Sequence, residues 1–437
     1  MRVFSPTSCF GGCRSFQSLS KTSGENMSLH REVLAAVLVA TMAVSVAFAQ
    51  DWTPFSVPPG NWGCLASSAD GRKLVGADYW NDQVFVSTNF GSTWTLTNLA
   101  ANNSWSAVAC SADGSVIIVG GYAQDQGLYV SQDSGVTWRL AFSLGVYYWN
   151  SLACSSDGTR MVAVSNSWYD NTNSVYISTN SGADWVHLTG SPGAGPVTMS
   201  ADGSRLAIAT GATVDVSTNF GLTWTSRYPT SEPAHHRFVT TSGEGGTLLV
   251  LSWPTNRSLP ALISISSDWG ATWRPVGSTT NTSWYTVSGA CSADGVTLAI
   301  ADSPDQGDYM TRLLLSTNSG ASWSTQLIAG TNICSMVSSV DGSRLAAALG
   351  HSFTPPTPPN FYIRQTTPVP RLQVFPLPGN LELSWLLPSE PFVLEESPDL
   401  LTWSQVDATP ILNYTNLHYV VNLPAPIVPK FYRLASQ

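Results

Sequence analysis

The chain has 437 residues and a formal net charge of −9, from 19 basic and 28 acidic side chains. Charged residues make up only 11% of it and form no basic cluster, which argues against non-specific nucleic-acid binding because that requires a basic face. The length exceeds that of one ordinary small domain, although a closed all-β repeat array can hold most of such a chain as a single unit.

The first 49 residues predict an exported protein. A short basic flank (30–31) precedes an uncharged apolar run (33–48), and Ala47-Phe48-Ala49 fits a small-x-small cleavage site. The run is short for a membrane span. We therefore expect a signal peptide at about 27–49, with translation starting at Met27 and the residues before it an over-called gene start. The mature protein is then secreted, periplasmic or on the cell surface, without a transmembrane span.

An octet that ends in tryptophan occurs six times, at 87–94, 131–138, 178–185, 217–224, 266–273 and 316–323. Its third residue, Asp or Asn, can hydrogen-bond backbone amides of a turn, and the Gly at the fifth place supplies a positive φ without steric cost. The tryptophan then opens the next strand and brings the largest apolar surface of the repeat. Six copies at regular spacing indicate structural hairpin corners rather than a ligand site. The residues concerned are Asn89, Asp133, Asn180, Asn219, Asp268 and Asn318 at the third place, and Trp94, Trp138, Trp185, Trp224, Trp273 and Trp323 at the end.

A second phrase, Asp-Gly after two small residues, alternates with the octets. Apolar runs on both sides of each copy predict hairpins. Each unit of about 45 residues therefore contains strand, Asp-Gly turn, strand, variable loop, strand, octet and strand, which is the pattern of a β-propeller blade. The acidic residues of the seven copies, the fifth of them degraded, are Asp70, Asp113, Asp157, Asp202, Glu244, Asp294 and Asp341.

The chain has seven Asp-Gly turns but six octets. Because an octet precedes the fourth strand of each unit, the last unit lacks its outer strand. Residues 51–57 form a strand-like segment with no unit of its own, so we predict that it pairs beside Phe361-Tyr362-Ile363 and closes the ring, which removes open sheet edges. The sequence thus predicts an all-β fold, with a seven-bladed β-propeller over 50–366 closed by the N-terminal strand. A proline-rich linker leads to alternating strands over 367–437, which predict a small β-sandwich.

The octets resemble the Asp-box or BNR repeat of the sialidase-like propeller superfamily, whose pattern SxDxGxTW all six copies match closely. The resemblance covers residues 51 to about 366 and implies the fold rather than the function, because this family holds glycosidases, assembly factors and receptors. The C-terminal segment looks like the fibronectin-III-like module that ends many exported proteins of Verrucomicrobia-type bacteria. That likeness rests on the phrase 397–403, which lacks the glycine of a true Asp-box, and on the closing segment 431–434.

The loops opposite the Asp-Gly turns are the variable ones, and they form the predicted binding face. Aromatic rings with amide and carboxylate neighbours suit sugars or peptides, because rings stack on apolar faces while amides satisfy hydroxyls. Packing between blades is the alternative role for the same rings. The candidate binding residues are Tyr79, Trp80, Tyr122, Tyr147, Tyr148, Trp168, Tyr169, Trp253, Arg237 and Arg257.

A sialidase, by the same resemblance, needs an arginine cluster, a tyrosine nucleophile with a glutamate partner, and an aspartate acid/base. The Arg-Ile-Pro motif is missing here, and the predicted propeller holds two glutamates, Glu232 and Glu244. Four arginines follow the Asp-Gly turns and two directly follow octet tryptophans, which places all six away from the binding face or on outer strands. They are Arg72, Arg139, Arg160, Arg205, Arg274 and Arg344; Arg237, Arg257 and Arg312 are the ones that could face a pocket.

We therefore predict a monomeric, non-enzymatic binding or scaffolding protein, without catalytic residues or cofactor, that recognises a glycan or a protein. The first alternative is a glycoside hydrolase of the sialidase-like superfamily. The second is an assembly factor resembling the photosystem-II stability factor family, which shares this repeat.

Three further groups carry predictions of their own. The adjacent His235 and His236 are expected in an exposed loop rather than at a metal, because neighbouring histidines point in different directions. The set Asp302, Asp305 and Asp308 could bind calcium but lacks the Gly and Glu of a known calcium loop, so no metal is predicted. Buried free thiols are expected, with a disulfide pair as the alternative in an oxidising compartment, at Cys64, Cys110, Cys154, Cys291 and Cys334.

Overall fold

The structure is a computed structural model that describes residues 52–55, 57–58, 62–79, 81–99, 104–121, 127–143, 147–167, 173–193, 195–230, 234–256, 259–279, 287–302, 310–329, 333–349, 361–366, 371–388 and 391–436. All of them belong to one compact unit, 37–437. The predicted signal peptide and the predicted start at Met27 lie outside the described residues.

The described residues form strands, turns and irregular segments without a helix, so none of them belongs to a helix that could span a membrane. The strands up to residue 365 are β1 (Thr53–Phe55), β2 (Trp62–Ser67), β3 (Leu74–Asp78), β4 (Val84–Ser87), β5 (Thr95–Leu96), β6 (Trp105–Cys110), β7 (Ile117–Gly121), β8 (Gly127–Ser131), β9 (Arg139–Ser143), β10 (Tyr147–Cys154), β11 (Met161–Ser167), β12 (Asn173–Ser178), β13 (Val186–His187), β14 (Val197–Met199), β15 (Leu206–Ala209), β16 (Val214–Ser217), β17 (Thr225–Arg227), β18 (Ala234–Thr241), β19 (Leu248–Pro254), β20 (Leu262–Ser266), β21 (Arg274–Ser278), β22 (Val287–Cys291), β23 (Leu298–Asp302), β24 (Met310–Ser316), β25 (Ser324–Ala329), β26 (Ile333–Ser338), β27 (Arg344–Leu349) and β28 (Phe361–Gln365).

Within the described ranges these strands form seven antiparallel sheets of four strands each. Six of the sheets use strands that are consecutive in the chain, in orders such as β2-β3-β4-β5 and β22-β23-β24-β25. This is the unit predicted from the alternating turns. The seventh sheet has the order β26-β27-β28-β1, in which Thr53 lies opposite Ile363 and Phe55 opposite Phe361.

Six of the seven turns are held by one serine and one aspartate, and the fifth has Glu244 in place of the aspartate. In the first copy the Ser68 hydroxyl donates to the Asp70 carboxylate at 2.7 Å and accepts the Lys73 amide at 2.9 Å. The same carboxylate accepts the Arg72 amide at 2.9 Å. Gly71 occupies a φ of 74°, which a residue with a Cβ rarely adopts. The turn is therefore fully satisfied by its own sequence, and the other six copies retain the serine at the first place.

The seven turns are joined into a closed ring by backbone hydrogen bonds. In each bond the amide of the residue after the serine donates to the carbonyl of the equivalent residue in the next turn, at 2.7–3.0 Å. The last amide, of Val340, donates to the carbonyl of Ala69, the first member. We call this set the axial ring; its members are Ala69, Ala112, Ser156, Ala201, Gly243, Ala293 and Val340.

The octets form the second recurring turn. In the first, the Ser87 hydroxyl accepts the Gly91 amide at 2.8 Å, and the Asn89 side-chain oxygen accepts the Thr93 amide at 2.8 Å. Gly91 has a φ of 79°, as expected from its position, and Phe90 before it also lies in the left-handed region at 59°. The same bonds recur in all six copies, which supports the structural role that the sequence predicts for the octets.

The hydrophobic cores lie between neighbouring sheets. Val75 and Val86 of the sheet β2–β5, for example, pack with Trp105 and Ile117 of the sheet β6–β9. Trp62 and Trp105, the first residues of β2 and β6, and Trp149, the third residue of β10, are completely or almost completely buried. These three rings therefore pack between neighbouring sheets.

The C-terminal module, residues 371–436, contains two further sheets. Its strands are β29 (Gln373–Leu377), β30 (Asn380–Leu386), β31 (Phe392–Ser397), β32 (Ser404–Gln405), β33 (Ile411–Asn413), β34 (His418–Pro424) and β35 (Phe431–Ser436). The orders are β29-β30-β34-β33 and β32-β31-β35. Leu383, Trp385 and Val421 of the first sheet pack with Leu394 and Tyr432 of the second in one core.

The phrase 397–403 in this module forms a shortened octet turn. The Ser397 hydroxyl accepts the Leu400 amide at 2.8 Å, and the Asp399 carboxylate accepts the Thr402 amide at 2.8 Å. Leu400, at φ 65°, takes the left-handed position without a glycine. The turn therefore keeps the serine and aspartate bonds of an octet with one residue fewer.

Candidate functional site

The structure describes the side chains of three of the ten predicted binding residues. Tyr79 and Tyr148 are partly buried at the end of the sheets opposite the axial ring. Tyr147 and Arg237 lie in β10 and β18, but their side chains are not described. The others that lie outside the described residues are Trp80, Tyr122, Trp168, Tyr169 and Arg257.

Trp253 corrects the prediction of an exposed binding residue. It belongs to β19, where it pairs with His235 of β18, and its side chain is only 3% exposed. Its ring packs in the core with Leu251 and Ile263. Burial of an indole of this size stabilises the sheets and leaves no face for a ligand.

The arginines that follow the Asp-Gly turns stack on aromatic residues of the octets. Arg160 lies over the ring of Phe220 at 5.3 Å, and Arg205 over Trp269 at 5.6 Å. Phe90 is contacted from two sequence-distant turns, by Arg72 at 5.5 Å and by Arg344 at 3.3 Å. Three of these four cation–π contacts join neighbouring sheets, whereas Arg72 and Phe90 belong to the same sheet. These guanidinium groups lie at the octet end of the sheets, as the sequence predicts.

The two arginines that follow octet tryptophans also join neighbouring units. Arg139 donates to the carbonyl of Ser181 at 2.8 Å and to that of Gly182 at 3.1 Å. Arg274 donates to the carbonyl of Ser319 at 3.2 Å. All six arginines of this group therefore contact octet turns.

Two further candidates have structural partners of their own. Arg312, considered as a pocket residue, forms an ion pair with Asp302, whose side chain is fully buried. The carboxylate of Asp302 is thus paired with the guanidinium of Arg312. The other two aspartates of the predicted calcium set, Asp305 and Asp308, lie outside the described residues. No group of three or more potential metal-ligating side chains occurs in the described part of the chain.

The histidine pair lies in a strand and not in an exposed loop, which corrects the prediction. His236 is 2% exposed and shares a 2.8 Å hydrogen bond between its Nδ1 and the Ser252 hydroxyl. Burial lowers the pKa of His236 to about 4, because the protonated ring would lose its hydration. A neutral, buried imidazole is the result.

The thiols of Cys110, Cys154 and Cys291 are free. Burial raises the pKa of Cys110 to about 12 and also raises the pKa of the other two. They are therefore protonated and unreactive at neutral pH. Cys64 is half-buried, and the side chain of Cys334 lies outside the described residues.

The C-terminal module packs on the axial ring. Leu417, in the turn before β34, is 5% exposed and clusters with Ala69, Ala201 and Ala293 of the ring. A methyl group added to Gly243 would lie 2.7 Å from the Ala293 Cβ and 3.4 Å from a Leu417 methyl. The small ring residues thus leave room for one leucine of the module.

A groove of about 570 Å³ opens beside this contact. We call it the junction groove. Its lining is the outer face of the sheet β29-β30-β34-β33 together with Glu244 of the fifth Asp-Gly turn. In register, Phe375 lies beside Glu382, and Glu382 beside Asn422. His418, 7% exposed, brings its Nε2 to 4.0 Å from Glu244 Oε1.

The junction groove was not predicted from the sequence. The signal lay in the alternation of β29, β30 and β34, where, apart from Val420, every second residue is polar or exposed while residues such as Leu383 and Val421 enter the core. The contribution of Glu244 could not be read from the chain, because it depends on how the module packs against the ring.

No family model matches the chain, and no curated protein matches it either. The solved structures that resemble it include "YCF48 bound to D1 peptide", with a TM-score of 0.51 at 15% identity over 72% of this chain and 97% of that chain. They also include "Kuenenia stuttgartiensis Hydrazine Synthase", with a TM-score of 0.53 at 15% identity over 72% of this chain and 98% of that chain. The fold is that of a β-propeller. A third structure, of an ancestral GH74 enzyme, covers 77% of this chain at 14% identity and 53% of its own chain, with a TM-score of 0.49. At these identities the likeness concerns the fold of the propeller and not its ligand.

Proposed function

We propose that this chain is an exported, non-enzymatic binding or scaffolding protein whose propeller recognises a glycan or a protein through its loop face. The observation that carries the proposal is the position of the arginines. Six of them contact octet turns, and Arg312 pairs with Asp302. The cluster of arginines that a sialidase-like hydrolase uses for a substrate carboxylate would have to be assembled from other residues.

The proposal includes a seven-bladed propeller of the Asp-box type that is closed by its N-terminal strand. The axial ring supports this, because its seven backbone hydrogen bonds return to their starting residue. The pairing of β1 with β28 supports closure by both ends of the repeat array. The C-terminal module is proposed to be fibronectin-III-like, with the shortened octet turn 397–403 as a feature shared with the propeller.

The aromatic rings, amides and carboxylates predicted for the loop face suit a peptide and a glycan equally well. One similar structure was solved with a bound peptide, which belongs to that protein and gives a precedent for the fold. Tyr79 and Tyr148, both partly buried at this end of the sheets, are proposed to support the neighbouring aromatic loops. An assembly factor is a special case of protein recognition and a glycosidase is the competing function.

The test is a glycan-array screen and a hydrolysis assay with the mature chain, 50–437. Binding without turnover that is lost in Trp80→Ala or Trp168→Ala supports the proposal. The matched control is Leu222→Ala, at a 74% exposed residue of an octet turn, which should bind like the unchanged protein. Turnover of a bound sugar would replace the proposal by the glycosidase. If neither assay gives a signal and a defined peptide is captured from a display library, the ligand is a protein.

Export is tested separately. The mature protein should be recovered outside the cytoplasm with Gln50 as its first residue. An intact N-terminus at Met1 or Met27 would contradict the predicted signal peptide without bearing on the binding face.

A further inference from the structure

The floor of the junction groove is one face of a sheet of four paired strands. Three rows of cross-strand neighbours in register share its face of the sheet, because paired residues point to the same side. The first row is Phe375, Glu382 and Asn422; the second is Gln373, Ser384, Val420 and Ile411; the third holds His418 and Asn413. At about 4.8 Å between strands, the second row spans roughly 14 Å.

The chemistry of the lining is that of hydroxyl recognition. Four of the eleven lining residues carry side-chain amides, which both donate and accept hydrogen bonds, and two carry carboxylates, which accept them. Apolar surface is present at both ends, on Phe375, 47% exposed, and on Ile411, 72% exposed. Such a combination of an exposed ring with spaced polar groups fits the apolar faces and the hydroxyls of a sugar.

The charges of the lining favour a neutral ligand. None of the lining residues is a lysine or an arginine, so a phosphate, sulfate or uronate would meet Glu244 and Glu382 without a compensating cation. Burial lowers the pKa of His418 even though the Glu244 carboxylate acts in the opposite direction. The imidazole is therefore neutral at pH 7 and offers one donor and one acceptor.

A peptide fits the groove less well than a saccharide. Peptides that bind to sheets commonly add a strand to an open edge, where the backbone groups are available. The junction groove instead lies on the face of the sheet, where only side chains are presented. Its isolated donors and acceptors match separate hydroxyl groups better than the repeating amides of a backbone.

We propose that the junction groove of the C-terminal module binds a neutral oligosaccharide. The site lies at the axial-ring end of the propeller, so it is separate from the loop face and does not depend on the ligand of that face. Phe375 provides the stacking surface, and Gln373 and Asn422 provide hydrogen bonds together with the Nδ2 group of Asn413, whose Oδ1 already accepts the Thr415 amide at 2.9 Å.

The experiment is calorimetric titration of the mature chain with cellohexaose, xylohexaose, mannohexaose and chitohexaose. At least one should bind, and Phe375→Ala should weaken it by about three- to tenfold, the loss expected for one aromatic contact. Asn422→Ala should weaken it as well. The matched control is Leu377→Ala, 45% exposed and two residues further along the same strand face but outside the groove, and its affinity should be unchanged.

Each other outcome overturns the proposal. Failure of all four sugars to bind, or equal affinity in Phe375→Ala and the unchanged chain, removes the site. Binding that is lost in Trp80→Ala but kept in Phe375→Ala moves the saccharide to the loop face, which leaves the proposed function in place. Preferential binding of a lysine-rich peptide or of a sulfated hexasaccharide would assign the groove to a charged ligand instead.

Discussion

The amide of Val340 donates a 2.7 Å hydrogen bond to the carbonyl of Ala69. These two residues belong to the last and the first Asp-Gly turns, so this bond closes the axial ring. The bond therefore links the turn of the seventh sheet directly to the turn of the first sheet.

The first prediction concerns this closing bond. Val340→Pro removes the amide and leaves the Ala69 carbonyl without its partner, which should cost about 1–3 kcal/mol in addition to any proline strain. The melting temperature measured by calorimetry should fall. Val340→Ala keeps the amide and is the control; equal melting temperatures of the two variants would show that ring closure contributes little.

The second prediction concerns the packing of Trp62 on Gly76. A methyl group at Gly76 would lie 1.8 Å from Cζ3 of the Trp62 ring, and this ring is 1% exposed. Because it has no room to move, Gly76→Ala should destabilise the protein by about 1–3 kcal/mol. Gly246→Ala is the control, since a methyl group there meets no atom within 4 Å. The measurement is denaturant unfolding followed by tryptophan fluorescence, and a similar loss in both variants would contradict the packing argument.

How much of this molecule could be predicted from its sequence depends on whether a local turn determines the feature. The four-stranded units were predictable because each Ser-x-Asp-Gly turn and each octet satisfies its own hydrogen bonds within a few residues. The burial of Trp253 and His236 was not. Trp253 lies in β19, which is buried along its whole length, and His236 stands between two polar residues, His235 and Arg237. The junction groove was not predictable either, since Glu244 and His418 meet only after the module has packed on the ring.

The third prediction concerns the two octets that carry aspartate instead of asparagine. Hydrogen bonds from the Thr137 side chain and amide lower the pKa of Asp133 to about 2, and Thr272 does the same for Asp268. A carboxylate whose pKa is depressed by folding stabilises above its ordinary pKa near 4, and this contribution is lost as the pH falls to about 2.

Replacing both residues should remove that part of the acid sensitivity. Asn89 already forms the same turn and donates to Thr93 Oγ1 at 2.9 Å, so Asp133→Asn with Asp268→Asn should fold normally. The difference in melting temperature between the original chain and the double variant should change between pH 4 and pH 2, in favour of the variant at low pH. Asp133→Ala should be less stable at every pH, and parallel curves for the double variant would contradict the assignment.

The fourth prediction concerns His236. Its pKa of about 4 lies below the ordinary value near 6.5, so the unfolded chain binds more protons than the folded one between these values. Stability should therefore rise with pH from about 4 to 6.5, by on the order of 3 kcal/mol from this residue. In His236→Gln, where an amide can replace the hydrogen bond to Ser252, this rise should shrink. Denaturant midpoints at several pH values check it, and an equally steep rise in the variant would contradict it.

The fifth prediction tests whether Leu417 anchors the C-terminal module to the axial ring. Leu417→Asp loses the burial of a leucine, about 1.5–3 kcal/mol, and places a carboxylate among alanines, where it would be desolvated without a partner. Calorimetry should then show separate unfolding transitions for propeller and module in place of coupled ones. Leu401→Asp, at an 85% exposed position of the same module, adds the same charge and should leave the original trace unchanged. A single unaltered transition in Leu417→Asp would mean that other contacts, such as those of Leu387 in the same cluster, suffice to hold the module against the ring.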